Sequence, residues 1–333
     1  MNICIIGAGN IGTYLAAYIS MKHENKVWLH TSKPEAFNDT IALIEEEKNI
    51  THHITLHCIT SSYEEAVSNA DYILITYPSF MMEKTIESIL PYLKKGAVVG
   101  AIPGFGGKEY LIDKLLDKGC IFFGTQRVPS IIRLEKYGES VLLKQKNPFM
   151  KIRVIPGEYF EKVANDMSNF IDIPCIPLNS YLAITLSPSN PTMHPSRLYE
   201  LFHDYVEGEH IYERNPYFYE EWGTLASTEL LKLDEELEAI FNAFNENGDF
   251  DPRDIEKIKS RYNINTAEEL SEKINTAPGF IGIDSPMIEV EGGYIPDKNS
   301  RYFIEDIQFG LCILKAFAEL LNVNTPEIDK VAT

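Results

Sequence analysis

Through the first third of the chain, apolar residues come in short unbroken runs. Asn2-Ile-Cys-Ile-Ile6, Lys26-Val-Trp-Leu-His30, Ala70-Asp-Tyr-Ile-Leu-Ile-Thr76, Ala97-Val-Val-Gly-Ala-Ile102 and Cys120-Ile-Phe-Phe-Gly124 are the clearest. Such runs are the mark of strands covered on both faces. Between them, residues 13–20, 82–93 and 108–118 place apolar side chains at helical spacing. Strand and helix in alternation predict an α/β unit with a parallel, doubly wound sheet of Rossmann type. Residues 38–69 mix the two signals.

After Gly124 the pattern changes. Ser140-Val-Leu-Leu-Lys144 and Lys151-Ile-Arg-Val-Ile155 look like the two arms of a hairpin, and residues 158–171 form an amphipathic helix. Ile173-Pro-Cys-Ile-Pro177 is a short strand that its prolines confine to an edge. From about Asn179 onward strand signals almost vanish. Leu198, Leu201, Phe202 and Tyr205 recur at helical spacing, as do Leu230, Leu233, Leu237, Ile240 and Phe244. Thr266-Ala-Glu-Glu269 is a capping box ahead of Leu270 and Ile274. Ile304, Ile307, Leu311, Leu314, Ala318 and Leu321 form one stripe, stopped by Asn324 and Pro326. The expected organisation is an α/β domain over 1–178 and an all-helical domain over 179–333.

The first strand runs straight into Gly7-Ala-Gly9-Asn10-Ile11-Gly12 and then a helix. A strand, a G-x-G-x-x-G turn and a helix in that order form a dinucleotide-binding fingerprint. Gly7 permits the tight turn, Gly9 admits a pyrophosphate close to the backbone, and Gly12 lets helix and strand pack closely. The phosphates would rest on the free N–H groups of the helix N-terminus, at Asn10, Ile11 and Gly12. At the end of the second run, an NAD site usually carries an acid that reads the ribose. Here stand His30-Thr31-Ser32-Lys33, with no acid before Glu35. Two hydroxyls and an ammonium suit a 2′-phosphate, so NADP is expected in preference to NAD. Tyr77-Pro78-Ser79 and Pro103-Gly104-Phe-Gly-Gly107 end further strands, where ligands bind in open α/β sheets, and add Pro78 and Gly104 to the expected cofactor contacts.

Charge narrows the partners. The 333 residues hold 30 Lys and Arg against 49 Asp and Glu, a formal charge of −19. Nucleic acid and anionic membranes reward the opposite sign. A cationic substrate is compatible, although a solvated acidic surface accounts for most of the excess. The five cysteines (4, 58, 120, 175, 312) show no C-x-x-C spacing. Cys4 in a strand and Cys312 in an apolar helix suggest buried thiols, which suits a reducing cytosol. With no stretch of the ~18 apolar residues that a span requires, and a strand at the N-terminus instead of a signal peptide, a cytoplasmic protein is expected.

Two segments carry candidate chemistry. In Asn190-Pro-Thr-Met-His194-Pro195, Pro195 fits the first turn of the following helix, which would leave His194 at its very start. In Arg301-Tyr-Phe-Ile-Glu305-Asp306, Arg301 and Asp306 are five apart and would not share a face of an ideal α-helix. One or both should therefore lie in a loop or approach from different sides. Glu305 and Asp306 also read as first-turn acids complementing a helix dipole.

These segments resemble the opine dehydrogenase family (octopine, nopaline and related enzymes). The likeness rests on the Gly-rich start, Asn190-Pro-x-x-His194-Pro195, and Arg301-Tyr-x-x-Glu-Asp306-x-x-x-Gly310-Leu with Thr325-Pro326. It runs over nearly the whole chain. It implies an NAD(P)H-dependent oxidoreductase that condenses an amino acid with a 2-oxo acid. It further implies that His194 and Asp306 form a catalytic pair and that Arg301 holds a carboxylate. Ile102-Pro103-Gly104 with Gly106-Gly107 matches a second Gly-rich loop of the family, and Arg133 matches an Arg beyond the next strand. Where many members have Pro two residues after the Asp, this chain has Gln308. The metallophore-making branch shares the His-Pro and Glu-Asp segments but is longer.

The residue types suit that chemistry. Imidazole moves protons near neutral pH, and Arg grips carboxylates in a fork that Lys lacks. Two rivals stand beside this reading: a ketopantoate reductase-like enzyme, which would turn over a 2-oxo acid without amine, and a non-catalytic NADPH-binding sensor. Asn245-Glu-Asn-Gly-Asp249-Phe250-Asp251 through Glu256 imitates a calcium loop but has Phe250 where Gly is required, so no metal is expected. The aromatic and acidic segment from Tyr212 to Trp222 fits an amino-acid pocket, a homodimer contact or plain loop packing.

Overall fold

The computed structural model describes residues 1–245 and 254–332. The calcium-like segment falls largely outside the described residues. The chain forms two units, Met1–Thr185 and Leu186–Thr333. The division lies beyond the expected 178/179 boundary because residues 179–185 are tied into the first unit. The Tyr181 hydroxyl donates to the Gly104 carbonyl at 3.0 Å, and the Gln126 side-chain amide donates to the Ala183 carbonyl at 3.1 Å.

In the first unit, strands β1 (Asn2–Ile6), β2 (Lys26–His30), β3 (Ile41–Glu45), β4 (Ile50–Ile54), β5 (Cys58–Thr60), β6 (Tyr72–Ile75), β7 (Val98–Ala101) and β8 (Ile121–Thr125) are followed by β9 (Ser130–Lys136), β10 (Ser140–Lys146), β11 (Met150–Ile155) and β12 (Cys175–Pro177). The helices are α1 (Asn10–Ser20), α2 (Tyr63–Val67), α3 (Met82–Ile89), α4 (Asp113–Asp117), α5 (Phe160–Ile171) and α6 (Leu182–Thr185). One sheet has the order β12-β11-β8-β7-β6-β1-β2-β5. All its pairings are parallel except β8 with β11. From β5 to β8 the order is that of a dinucleotide-binding sheet, with its switch point between β1 and β6.

A second sheet, β4-β3-β10-β9, corrects the hairpin expectation. β10 pairs antiparallel with β9, through a turn at Gly138 with φ of +76°, while β11 pairs with β8 in the first sheet. Two neighbouring alternating strands look like a hairpin in sequence, but here residues 147–149 carry the chain from one sheet to the other. Helix α1 packs against both sheets, touching β2, β3, β9 and β10. That explains why it is apolar all round and buried from Gly12 to Ile19.

The second unit is helical, with α7 (Asn190–Phe202), α8 (Thr224–Asn245), α9 (Ile258–Tyr262), α10 (Ala267–Asn275), α11 (Arg301–Phe303), a π-helix (Ile304–Leu311), α12 (Cys312–Leu320) and α13 (Pro326–Ala332). It also holds one hairpin the helical pattern concealed, β13 (Met287–Val290) with β14 (Gly293–Pro296). The expected stripe on α8 is buried at Leu230, Leu233, Leu237 and Ile240. The capping box forms too: Thr266 Oγ1 accepts from the Glu269 N–H at 3.3 Å. Cys312 departs from expectation and is exposed, because Leu311, Leu314 and Ala318 occupy the buried face of its helix. Among the described residues no helix is long and apolar enough to cross a membrane.

Candidate functional site

The nucleotide end of the first unit follows from its glycines. Gly7 has φ of +104°, a conformation L side chains avoid, and an added Cβ would meet Thr76 Oγ1 at 2.7 Å. At Gly12 a Cβ would stand 1.7 Å from the Gly7 carbonyl oxygen, so helix and turn approach as closely as backbone allows. Gly9 differs: its φ of −80° suits any residue, and a Cβ there would meet nothing within 4 Å. The fold makes no demand for glycine at position 9, and open space over the helix start is what an approaching pyrophosphate requires. Helix α1 has no side-chain cap and no acid in its first turn. Its first N–H groups therefore lack intrahelical partners and favour an anion. These residues fit a dinucleotide.

The other expected cofactor residues divide. Asn10 spends its side-chain oxygen on the Leu134 N–H at 2.8 Å, so it braces β9 while its main-chain N–H stays in the helix start. Ile11 packs against the core. Thr31 is buried and its hydroxyl pairs with the Tyr137 hydroxyl at 2.9 Å, whereas Ser32 and Lys33 are exposed. Pro78 follows β6 at the switch point. Gly104 is required by packing: an added Cβ would lie 2.7 Å from the Tyr181 hydroxyl. Arg133 lies on β9, next to the Leu134 that Asn10 holds.

Glu109, just past this loop, was not singled out by sequence. Thr185 donates to its Oε1 at 2.6 Å, while Oε2 is buried with no hydrogen-bond partner among the described residues. Burial raises its carboxyl from 4.5 to about 7.

In the second unit His194 and Asp306 meet. Nδ1 of His194 lies 2.6 Å from Asp306 Oδ2, and the imidazole is 1% exposed. Helix α7 begins four residues before His194 and takes Pro191 into its first turn, with Pro195 inside the helix. This corrects the expectation of a helix starting at Pro195. Arg301 and Asp306 also share one continuous helical run, so neither sits in a loop. They still diverge: Asp306 is buried and Arg301 exposed, its guanidinium 5.6 Å from the centre of the Tyr302 ring. That ring in turn lies 4.5 Å from His194, centre to centre. Structure thus brings His194 and Asp306 into contact and leaves Arg301 one aromatic ring away.

A partner that sequence left undefined completes the cluster. The Tyr219 hydroxyl lies 2.7 Å from His194 Nε2. Its signal was the aromatic density of residues 217–222 together with Arg197, one turn after His194.

A nucleotide-binding sheet joined to a helical unit with a buried His–Asp pair defines a two-domain NAD(P)-dependent dehydrogenase. The helical part, residues 177–333, matches the family model described as NAD/NADP octopine/nopaline dehydrogenase, alpha-helical domain. Residues 3–139 match the ketopantoate reductase PanE/ApbA model. Tauropine dehydrogenase of Arabella iricolor is 28% identical over 290 residues, covering 82% of this chain and 72% of that one. Octopine dehydrogenase of Mizuhopecten yessoensis is 24% identical, covering 100% and 88%. A solved octopine dehydrogenase, in complex with NADH and agmatine, superposes with a TM-score of 0.83 at 21% identity, over 100% of this chain and 88% of that one. The chain is thus similar to opine dehydrogenases over most of its length, and its helical part matches the octopine/nopaline dehydrogenase domain.

Two predictions follow from the nucleotide unit. Gly9→Ala should leave the urea midpoint unchanged and weaken nucleotide binding at least tenfold by fluorescence titration. Gly12→Ala should lose both, because overpacking against fixed backbone costs at least 1–3 kcal/mol, in roughly that range or above. Equal stability loss in the two variants would refute the assignment of Gly9 to the ligand.

The second prediction concerns pH. Glu109 has a folded pKa near 7 against 4.5 unfolded, so the folded state holds its proton longer. Its contribution is full below pH 4.5 and is lost as pH rises to about 7. Glu109→Gln should therefore gain stability over wild type across that window, by roughly 3 kcal/mol at pH 8. Urea unfolding at pH 4.5 and pH 8 measures it, and a constant difference between the two proteins would refute it.

Proposed function

We propose that this chain reductively condenses an amino acid with a 2-oxo acid using NADPH or NADH, and catalyses the reverse oxidation. The observation that carries this reading is the buried 2.6 Å contact between His194 and Asp306, inside the segment matched to the octopine/nopaline dehydrogenase helical domain. Bound nicotinamide supplies the hydride. The chain supplies proton control and orientation.

With Asp306 on Nδ1, the imidazole is held with Nε2 as its working nitrogen. In the neutral ring Nδ1 donates to the carboxylate, and the imidazolium gains a charge-assisted bond there. Arg301 presents an exposed guanidinium near the same aromatic ring, and its fork suits a substrate carboxylate. At the cofactor's adenosine end, exposed Ser32 and Lys33 and the lack of an acid favour a 2′-phosphate, so NADPH is the proposed preference.

Two outcomes check this. NAD(P)H absorbance should fall only when amine and 2-oxo acid are present together, in a screen of amino acids against pyruvate, glyoxylate and 2-oxoglutarate. His194→Ala should retain nucleotide binding and lose roughly 10²–10⁴ in rate. Turnover of an oxo acid alone would indicate a ketopantoate reductase-like enzyme, and nucleotide binding without any turnover a sensor.

Cofactor preference is tested separately. Lys33→Ala should weaken NADPH more than NADH, by about 1–3 kcal/mol for one charge-assisted contact. A wild type that prefers NADH, or an equal loss for both, would exclude the role given to Lys33.

A further inference from the structure

Both ring nitrogens of His194 are occupied. Asp306 takes Nδ1 at 2.6 Å, and the Tyr219 hydroxyl takes Nε2 at 2.7 Å. With the imidazole 1% exposed, Nε2 has no open side for a substrate atom while Tyr219 stays in place. Either Tyr219 swings away in each turnover, or the proton passes through its hydroxyl.

The packing decides between these. The Tyr219 ring stacks on Phe280 at 4.2 Å and 14°, and lies parallel to Trp222 at 6.2 Å and 6°. Its backbone is pinned from the helix that carries His194. Arg197, buried one turn after His194, donates from Nε to the Phe218 carbonyl at 2.9 Å and from Nη2 to the Tyr217 carbonyl at 3.2 Å. Glu200, another turn along, pairs with Arg197 and accepts from the Gly223 N–H at 3.0 Å and the Ala226 N–H at 3.3 Å. The stretch holding Tyr219 is thus anchored on both sides by α7 itself. The Phe218 N–H adds a bond to the Ile283 carbonyl at 2.7 Å. A side chain stacked on aromatic rings, on backbone tied to its partner's own helix, is held in register and is not hinged.

We infer that Tyr219 relays the proton between His194 and the substrate, an inference that rests on the proposed condensation chemistry. In the forward direction the amine has added to the oxo acid, giving a carbinolamine. Its hydroxyl takes the Tyr219 proton and leaves as water, the C–O electron pair going to oxygen. The nitrogen lone pair closes the C=N bond, giving the iminium that hydride then reduces. The phenol oxygen recovers its proton from Nε2 of the His194 imidazolium, and Asp306 keeps its Nδ1–H bond throughout. Charge balances, since imidazolium becomes imidazole as carbinolamine becomes iminium. In reverse, water adds to the iminium carbon and gives one proton to the phenol oxygen as the phenol passes its own proton to Nε2, so imidazole becomes imidazolium.

Tyr219→Phe removes one oxygen and keeps the stacked ring. With the amino acid and 2-oxo acid that wild type uses, the variant should bind nucleotide normally and lose roughly 10²-fold in kcat. Rates in mixtures of light and heavy water give the sharper readout. Wild type should show a bowed dependence on deuterium fraction, two protons moving together, and Tyr219→Phe a straight one. A variant with wild-type kcat, or a slower one with unchanged curvature, would overturn the relay and leave Tyr219 a packing residue. A straight line in wild type overturns it even if the variant does not fold. Absence of any wild-type turnover with paired substrates defeats the condensation reading itself, a result distinct from both.

Discussion

The helical unit depends on one close approach. At Gly310, in the π-helix, an added Cβ would stand 2.4 Å from the Cβ of Pro191 in the first turn of α7. No side chain fits between the two elements there. Three residues along α7 stands His194, and four residues back along the π-helix stands Asp306. The contact at Pro191 and Gly310 therefore sets how near the two carriers of polar chemistry come, and the result is 2.6 Å between buried atoms. Such a bond is valuable only when both groups are paired, since either alone would be a costly buried polar group. Two segments more than a hundred residues apart are thus specified by one packing constraint. π-Helical turns, rare elsewhere, are frequent at functional sites, and the extra residue per bonded ring here lies in the run that carries Asp306.

Much of this was legible, for identifiable reasons. Strands β1, β2, β6, β7 and β8 announce themselves because burial on both faces demands unbroken apolar runs. The glycine turn is legible because backbone geometry leaves few alternatives at Gly7 and Gly12. His194 and Asp306 could be paired through resemblance, and spacing alone would not have joined them. What failed to show has equally physical causes. Alternation in β10 and β11 states that each strand is half-buried, not which strand it pairs with, so two sheets were taken for one hairpin. Pro195 looked like a helix start because a proline inside a helix is rare. The π-helix is invisible to a periodicity built on α-helical spacing. Cys312 was misplaced because an apolar helix still has an outer face.

The two units divide their demands differently. Around α1 the residues serve shape: helix and turn are backbone against backbone, and polar side chains such as Asn10 and Thr31 are consumed in bracing neighbouring strands. What remains for a nucleotide is main-chain N–H groups, the open space at Gly9 and the exposed Ser32 and Lys33. Around His194 the reverse holds, since nearly every polar atom is held by another side chain or a carbonyl. A site of that kind is preorganised, and electrostatic stabilisation by fixed groups costs no rearrangement at the moment of reaction.

That contrast bears on why a buried Arg197 and a partly buried Glu200 stand on the same helix as His194. A buried ion pair contributes little net stability, because desolvation offsets most of its attraction. Both members here spend their remaining valences on the backbone of residues 217–226, the stretch that carries Tyr219. Stability alone would be served as well by apolar side chains of similar volume. Apolar side chains would not, however, fix carbonyls and N–H groups at defined positions relative to α7. The pair makes sense as a device of register: it holds the Tyr219 hydroxyl at hydrogen-bond distance from Nε2, as the Pro191 and Gly310 contact holds Asp306 at Nδ1. One imidazole is thereby positioned from both sides by elements that each refer back to the helix on which it sits.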